Sequence, residues 1–167
     1  ISFVEVKSRN VYGRSQKRRI QRTSEQWDSP FTTKEQEFLS NCVPFAAELM
    51  PVLYSSYSRY TIANIAKGER ITFDTNLEYK TLTGETFKPL DGLAVVELKQ
   101  GETDRRSPLN RIFRERTDRR SPLGRTIRIS KYILGRLHTN KNLSARAYLE
   151  SLKELTRAKY VGETLPE

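Results

Sequence analysis

Three short segments alternate apolar with polar residues, and that period of two commits much of the chain to β-structure. Phe3-Val4-Glu5-Val6-Lys7 and Val95-Val96-Glu97-Leu98-Lys99 each carry Glu-x-Lys, so a carboxylate and an ammonium share one strand face while branched apolar residues fill the other. Arg70-Ile71-Thr72-Phe73-Asp74-Thr75-Asn76-Leu77 extends the pattern. Arg70, Thr72, Asp74 and Asn76 are expected on one face, and Ile71, Phe73 and Leu77 on the other. A sheet built from such strands has one charged side.

Turn signals divide the rest of the chain. Ile1 to Arg9 reads as a strand, followed by a turn around Gly13 and a second strand from Lys17 to Arg22, with Lys17 and Arg19 on one face. Thr33 ahead of an acidic first turn predicts the cap of a short helix, and Phe45 to Met50 a second one that Pro51 stops. Leu53 to Ile65 is rich in Tyr, Ser and Ile, which predicts a strand with Tyr57, Arg59 and Thr61 on one side. Gly68 turns the chain into the Arg70 strand, Leu82-Thr83-Gly84-Glu85 makes a hairpin turn, and Phe87 to Leu90 and Leu93 to Gln100 complete five or six strands.

Beyond residue 100 the character changes. Thr103-Asp104-Arg105-Arg106-Ser107-Pro108-Leu109 recurs as Thr117 to Leu123, which is too little repetition for a solenoid. Ser107-Pro108 predicts the cap and first position of a basic helix running to Arg116. Ser130 precedes a short helix from Lys131 to Gly135. Leu143 to Tyr160 predicts a longer surface helix with Leu149, Leu152 and Leu155 toward its buried side.

Thirty Lys and Arg against twenty Asp and Glu leave a formal charge of +10, which selects a polyanionic partner: nucleic acid, an anionic membrane surface or a phosphate-rich small molecule. Cys42 and His138 are the only residues of their kinds. A disulfide framework, a Cys/His zinc site and a His-based triad within this chain are therefore not expected, and the chemistry is expected to rest on carboxylates, Lys, Arg and hydroxyls. No apolar run approaches the roughly 20 residues that cross a bilayer, so the expectation is a soluble, cytoplasmic protein. The chain opens in a strand without Met, as the later part of a longer protein would.

Taken in order, Glu5-x-Lys7, Lys17-x-Arg19, Ser58-Arg59-Tyr60-Thr61, Arg70-Ile71-Thr72-Phe73-Asp74-Thr75, Val96-Glu97-Leu98-Lys99 and Ser130-Lys131-Tyr132-Ile133-Leu134-Gly135 resemble the VTC domain. This is the polyphosphate polymerase domain of the vacuolar transporter chaperone family and its bacterial relatives, within the triphosphate tunnel metalloenzyme superfamily. The resemblance runs over roughly residues 1 to 138. It implies an α+β fold: an antiparallel β-barrel, the CYTH-like triphosphate tunnel, with flanking helices, one tunnel domain over residues 1–160 and a tail over 161–167. The family uses eight strands, so this barrel would be incomplete. The missing strands would come from the same gene product or from a partner copy.

The resemblance further implies transfer of the γ-phosphoryl group of ATP onto polyphosphate with Mg²⁺ or Mn²⁺, at the cytoplasmic face of a membrane complex, where a membrane protein is the expected partner. Lys7, Arg59, Arg70 and Lys131 would be the catalytic cations. Lys17, Arg19, Lys99, Arg128 and Ser130 would join them as phosphate ligands, and Glu97, with Glu5 or Asp74, would hold the metal. Such chemistry needs positioning and charge compensation more than a protein nucleophile.

Plainer readings stand beside these. Glu-x-Lys on a strand is commonly a solvated face, Arg59 can pair with Asp74 across a sheet, and Ser130 can simply cap a helix. Tyr57, Tyr60 and Phe73 suit a barrel wall better than a stacking platform. Two further functions remain open: a metal-dependent triphosphatase of the same fold, and a non-catalytic module binding polyphosphate or nucleic acid through Arg105 to Arg128. Nucleic acid ranks lower, because the basic stretch holds only Phe113 for stacking.

Overall fold

A computed structural model describes residues 1–12, 15–22, 29–101, 104, 106–111, 127 and 130–163. Arg105, Arg128, Phe113, the Gly13 turn and the second copy of the duplicated segment lie outside them. The chain divides into two compact units, Ile1–Met50 and Pro51–Glu167.

In the first unit, β1 (Phe3–Arg9) and β2 (Ser15–Gln21) form an antiparallel hairpin in which Glu5 faces Arg19 and Lys7 faces Lys17. Thr33 is expected to cap α1 (Thr33–Cys42), but the cap is one residue earlier. Thr32 accepts from the Glu35 amide at 3.4 Å and Glu35 accepts from the Thr32 amide at 2.8 Å, a reciprocal capping box set by Thr-x-x-Glu spacing. Glu35 also accepts from Arg22 Nε at 3.1 Å, and both side chains are buried. The helix expected over Phe45 to Met50 is a single 3₁₀ turn, Ala46–Glu48.

In the second unit β4 (Glu69–Lys80) is the spine. It pairs along its length with β3 (Tyr54–Asn64), and on its other side with β6 (Val95–Gln100) near its start and β5 (Thr86–Phe87) near its end, all antiparallel. Gly68, at φ +60°, makes the turn from β3 into β4, as expected of that glycine. Among the described residues the strands form a two-stranded and a four-stranded sheet, neither of them closed into a barrel.

The face assignment read from the sequence for the β4 segment fails at one place. Asn76 takes a left-handed φ of 53°, and Asn76 and Leu77 together stand opposite Tyr57, between the pairs Ser58–Thr75 and Ser56–Glu78. This is a β-bulge, and it shifts the alternation by one residue. Leu77 and Tyr79 therefore share the face of Arg70, Thr72 and Asp74 instead of opposing it. Asn is among the few non-glycine residues that accept this conformation at low cost.

The bulge makes one sheet face serve two purposes. Its far end is apolar: Leu77, Tyr79, Leu90 and Leu134 are buried together, with Leu53, Phe87, Leu93, Val95, Leu152 and Leu155 packed around them. Two helices supply Leu134, Leu152 and Leu155, namely α2 (Lys131–Thr139) and α3 (Leu149–Glu163). Leu149, expected on the buried side of the last helix, is about half exposed, because the helix begins there after a 3₁₀ turn, Arg146–Tyr148. The near end of the face stays polar.

On the opposite face the buried Glu69 accepts from Asn64 at 3.1 Å and from Gln100 at 2.8 Å. Gln100 also donates to Ser107 Oγ, and Ser107 caps the turn at residues 108–111 by accepting from the Asn110 amide at 3.0 Å. The Gln100 amide beside it holds the Glu69 carboxyl below its ordinary range, with Ser107 and Asn64 assisting. The Ser107 cap expected from Ser-Pro is thus present, and it also fastens the start of the arginine-rich segment to the sheet. Among the described residues no helix is long and apolar enough to cross a membrane.

Candidate phosphate-binding site

Register places Arg59 opposite Asp74, Thr61 and Glu97 on either side of Thr72, and Lys99 opposite Arg70. All seven side chains belong to the near, polar end of one sheet face. Arg59 grips Asp74 with both ends of its fork, Nε to Oδ1 at 2.5 Å and Nη2 to Oδ2 at 2.7 Å. Lys131, from the first turn of α2, reaches the same carboxylate, with Nζ 2.5 Å from Oδ2.

Asp74 is completely buried, while the Arg59 side chain is 37% exposed and that of Lys131 23%. One carboxylate thus gathers two partly exposed cations. The Arg59 hydrogen bonds, with Lys131 assisting, hold the Asp74 carboxyl below its ordinary range and raise the affinity of Arg59 for its proton. The ring of Tyr57 lies under both cations, 5.0 Å from each, so cation–π attraction adds to the grip.

Ser130 brings Lys131 here. Its Oγ accepts from the Ile133 amide at 3.1 Å, so the helix starts at Lys131 as the sequence reading allowed. Glu97 pairs with Lys99 at 3.3 Å, both partly exposed, and Arg70 is exposed. Thr72 is 4% exposed, and among the described residues its Oγ1 has no hydrogen-bond partner.

Sequence reading named most of this group. Thr72 and Tyr57 were on the right face but carried no signal of their own. Their parts depend on packing against cross-strand neighbours.

In the first unit Glu5 accepts from Lys17 and lies 3.6 Å from Lys7, and these two amines lower its pKa, Lys17 foremost. Arg19 stacks over the Phe3 ring at 4.5 Å. Lys17 and Arg19 share one face of β2, as expected, and the register brings Lys7 onto the same hairpin face.

Both Asp74 oxygens are engaged by Arg59 and Lys131, and each Glu5 oxygen lies against a lysine. Among the described residues no three of His, Cys, Asp and Glu converge. Glu97 fits a hard cation better, being a half-exposed carboxylate beside the orphaned Thr72 hydroxyl. Mg²⁺ commonly needs only one or two carboxylates when a phosphate supplies other oxygens.

A search of curated proteins and a search of solved structures each returned no match. The family model described as the VTC domain matches residues 1–140, most of the chain and all six motifs above. On that match, with the ordered basic and acidic strand positions behind it, the chain belongs to the VTC domain family.

Proposed function

We propose that the polar end of the β3–β4–β6 face binds the phosphates of a nucleoside triphosphate and of polyphosphate, and that the protein transfers the γ-phosphoryl group between them. The observation that carries this reading is the Arg59–Asp74–Lys131 cluster. A buried carboxylate spends itself on holding two cations at one point, with Arg70 and Lys99 on the same face. Four cations against Asp74 and Glu97 leave an excess of positive charge that a triphosphate would neutralise through charge-assisted hydrogen bonds, each about 1.5–3 kcal/mol net. The phosphotransferase activity associated with the VTC family supports the same direction.

In this reading Arg59 and Lys131 clamp phosphate oxygens with the donors Asp74 does not use, while Arg70 and Lys99 extend the cationic track. Ser130 contributes the exposed start of α2. Lys7, Lys17 and Arg19 form a further phosphate-binding face on the hairpin, and Arg128 remains a candidate. Glu97 holds Mg²⁺ or Mn²⁺, which when bound offsets charge on the phosphates. Strands from the same gene product or a partner copy would complete a tunnel around the face, and a membrane protein partner would set it at the cytoplasmic side of a membrane.

Calorimetric titration with tripolyphosphate, with and without Mg²⁺, tests the site. Arg59→Ala, Arg70→Ala and Lys131→Ala should each weaken binding about tenfold or more, and Glu97→Ala should remove the Mg²⁺ dependence. Unchanged affinity in all four would overturn the assignment. Incubation with ATP and Mg²⁺ then separates the activities by product: long chains mark a polymerase, and free phosphate alone marks a triphosphatase.

A further inference from the structure

Within the Ser130–Gly135 motif, Gly135 has no part in the site described so far, yet it is buried. A Cβ placed on it would fall 2.5 Å from Leu53 Cδ2 and 2.6 Å from both Cδ1 and Cε1 of Tyr79. Real Cβ atoms do not approach that closely. The helix backbone therefore lies directly on the Tyr79 ring, and only glycine permits it.

Tyr79 is fully buried on β4, and its hydroxyl donates to the Lys131 carbonyl at 2.7 Å. Lys131 and Gly135 are one helical turn apart, on the same side of α2. The ring thus holds one turn of the helix at both ends: by contact at Gly135 and by a hydrogen bond at Lys131.

We propose that Tyr79 and Gly135 are positioning residues that set the axial place of α2 on the sheet, and thereby put the Lys131 ammonium on Asp74 beside Arg59. The Tyr79 hydroxyl is the element that distinguishes this from ordinary packing. A phenylalanine would fill the core equally well, but it would leave the Lys131 carbonyl without that donor. The bulge at Asn76 is a precondition, because without the shift Tyr79 would point away from the helix. The functional weight of this proposal rests on the phosphate-binding reading above, but the geometry it asserts is independent of any ligand.

The first test uses no phosphate. In the full chain labelled with ¹⁵N-lysine, the Lys131 ammonium signal is assigned by its loss in Lys131→Arg, and Asp74→Asn identifies the slow hydrogen exchange that the Asp74 bond confers. Tyr79→Phe should accelerate that exchange about fivefold, the factor one ordinary buried hydrogen bond commands, and Gly135→Ala at least as much. Leu155→Ala, which thins the same core but leaves the Tyr79 hydroxyl in place, should leave it near the wild-type rate at matched temperature below unfolding. If Tyr79→Phe exchanges at the wild-type rate, or if Leu155→Ala accelerates exchange as much, the proposal fails. Gly135→Ala is not essential to the outcome should it fold poorly.

The second test measures tripolyphosphate affinity. Tyr79→Phe should weaken it about fivefold in the wild-type background and have no effect in Lys131→Ala, since its action passes through that amine. A loss that persists in Lys131→Ala overturns the positioning role. Wild-type protein that binds no tripolyphosphate would refute the proposed function, while the ammonium exchange would still decide the positioning.

Discussion

Asp74→Asn keeps the size of the side chain and removes the charge on which Arg59 and Lys131 converge. The native carboxylate is fully buried and accepts three short hydrogen bonds from the two cations. Breaking one partner out of a buried ion pair costs about 3–5 kcal/mol, because the other charge is left uncompensated. Here the side chains of Arg59 and Lys131 are 37% and 23% exposed and can regain water, which discounts the loss to the lower end, about 3 kcal/mol.

With a urea m-value of about 2 kcal/mol/M, that moves the midpoint at pH 7 down by about 1.5 M, read by circular dichroism on the metal-free full chain. The pH dependence follows from the direction of the shift. The Asp74 pKa is lowered on folding, so its contribution is present above the ordinary carboxylate range and lost as pH falls through the folded value. The gap between wild type and variant should therefore close in strong acid. A midpoint within about 0.3 M of wild type at pH 7 would refute the anchoring argument, since a carboxylate serving only as a metal ligand leaves metal-free stability nearly unchanged.

Burial pushes the Tyr79 phenol up to about 12, so absorbance titration of the eight tyrosines should show one late ionisation that Tyr79→Phe removes; a single transition near pH 10 would contradict it. Because that pKa is raised on folding, the stability tied to the neutral phenol is complete below pH 10 and declines as pH climbs toward 12. Asn76→Gly should be tolerated, whereas Asn76→Val should cost about 1–2 kcal/mol in thermal unfolding, since a β-branched residue resists positive φ. Equal stability of the two variants would count against the bulge. In the first unit, Glu35→Gln keeps the capping box but removes the charge facing Arg22. It should speed hydrogen exchange of α1 amides by roughly 100-fold, equivalent to about 3 kcal/mol, and unaltered exchange would speak against the buried pair.

Much of the sheet was legible because strand periodicity is local. Each strand was located to within a few residues, Phe87 to Leu90 shrinking to a two-residue strand, and Ser107 and Ser130 both cap helical turns as their spacing predicts. The family likewise emerged from the order of short motifs. The pairing of Arg59 with Asp74 was one of two readings, and only the register of β3 against β4 selected it. Lys131, 57 residues further along, could not be joined to them from spacing at all.

The sequence alone determined an antiparallel α+β protein with an excess of positive charge, a single Cys and a single His, and acid and base interleaved on its strands. These properties depend on composition and on neighbours two to four residues apart. Tertiary structure decided how the carboxylates are partnered. Asp74 and Glu5 read as isolated acids in the sequence, yet Arg59 from the neighbouring strand and Lys131 from a distant helix take up the Asp74 oxygens, and Lys17 from the paired strand joins Lys7 on Glu5. It also decided, through the extra residue at Asn76, that Leu77 and Tyr79 turn to the same side as Asp74. A period of two cannot anticipate a bulge, because the bulge arises where the register of two strands must be reconciled, and that depends on both strands at once.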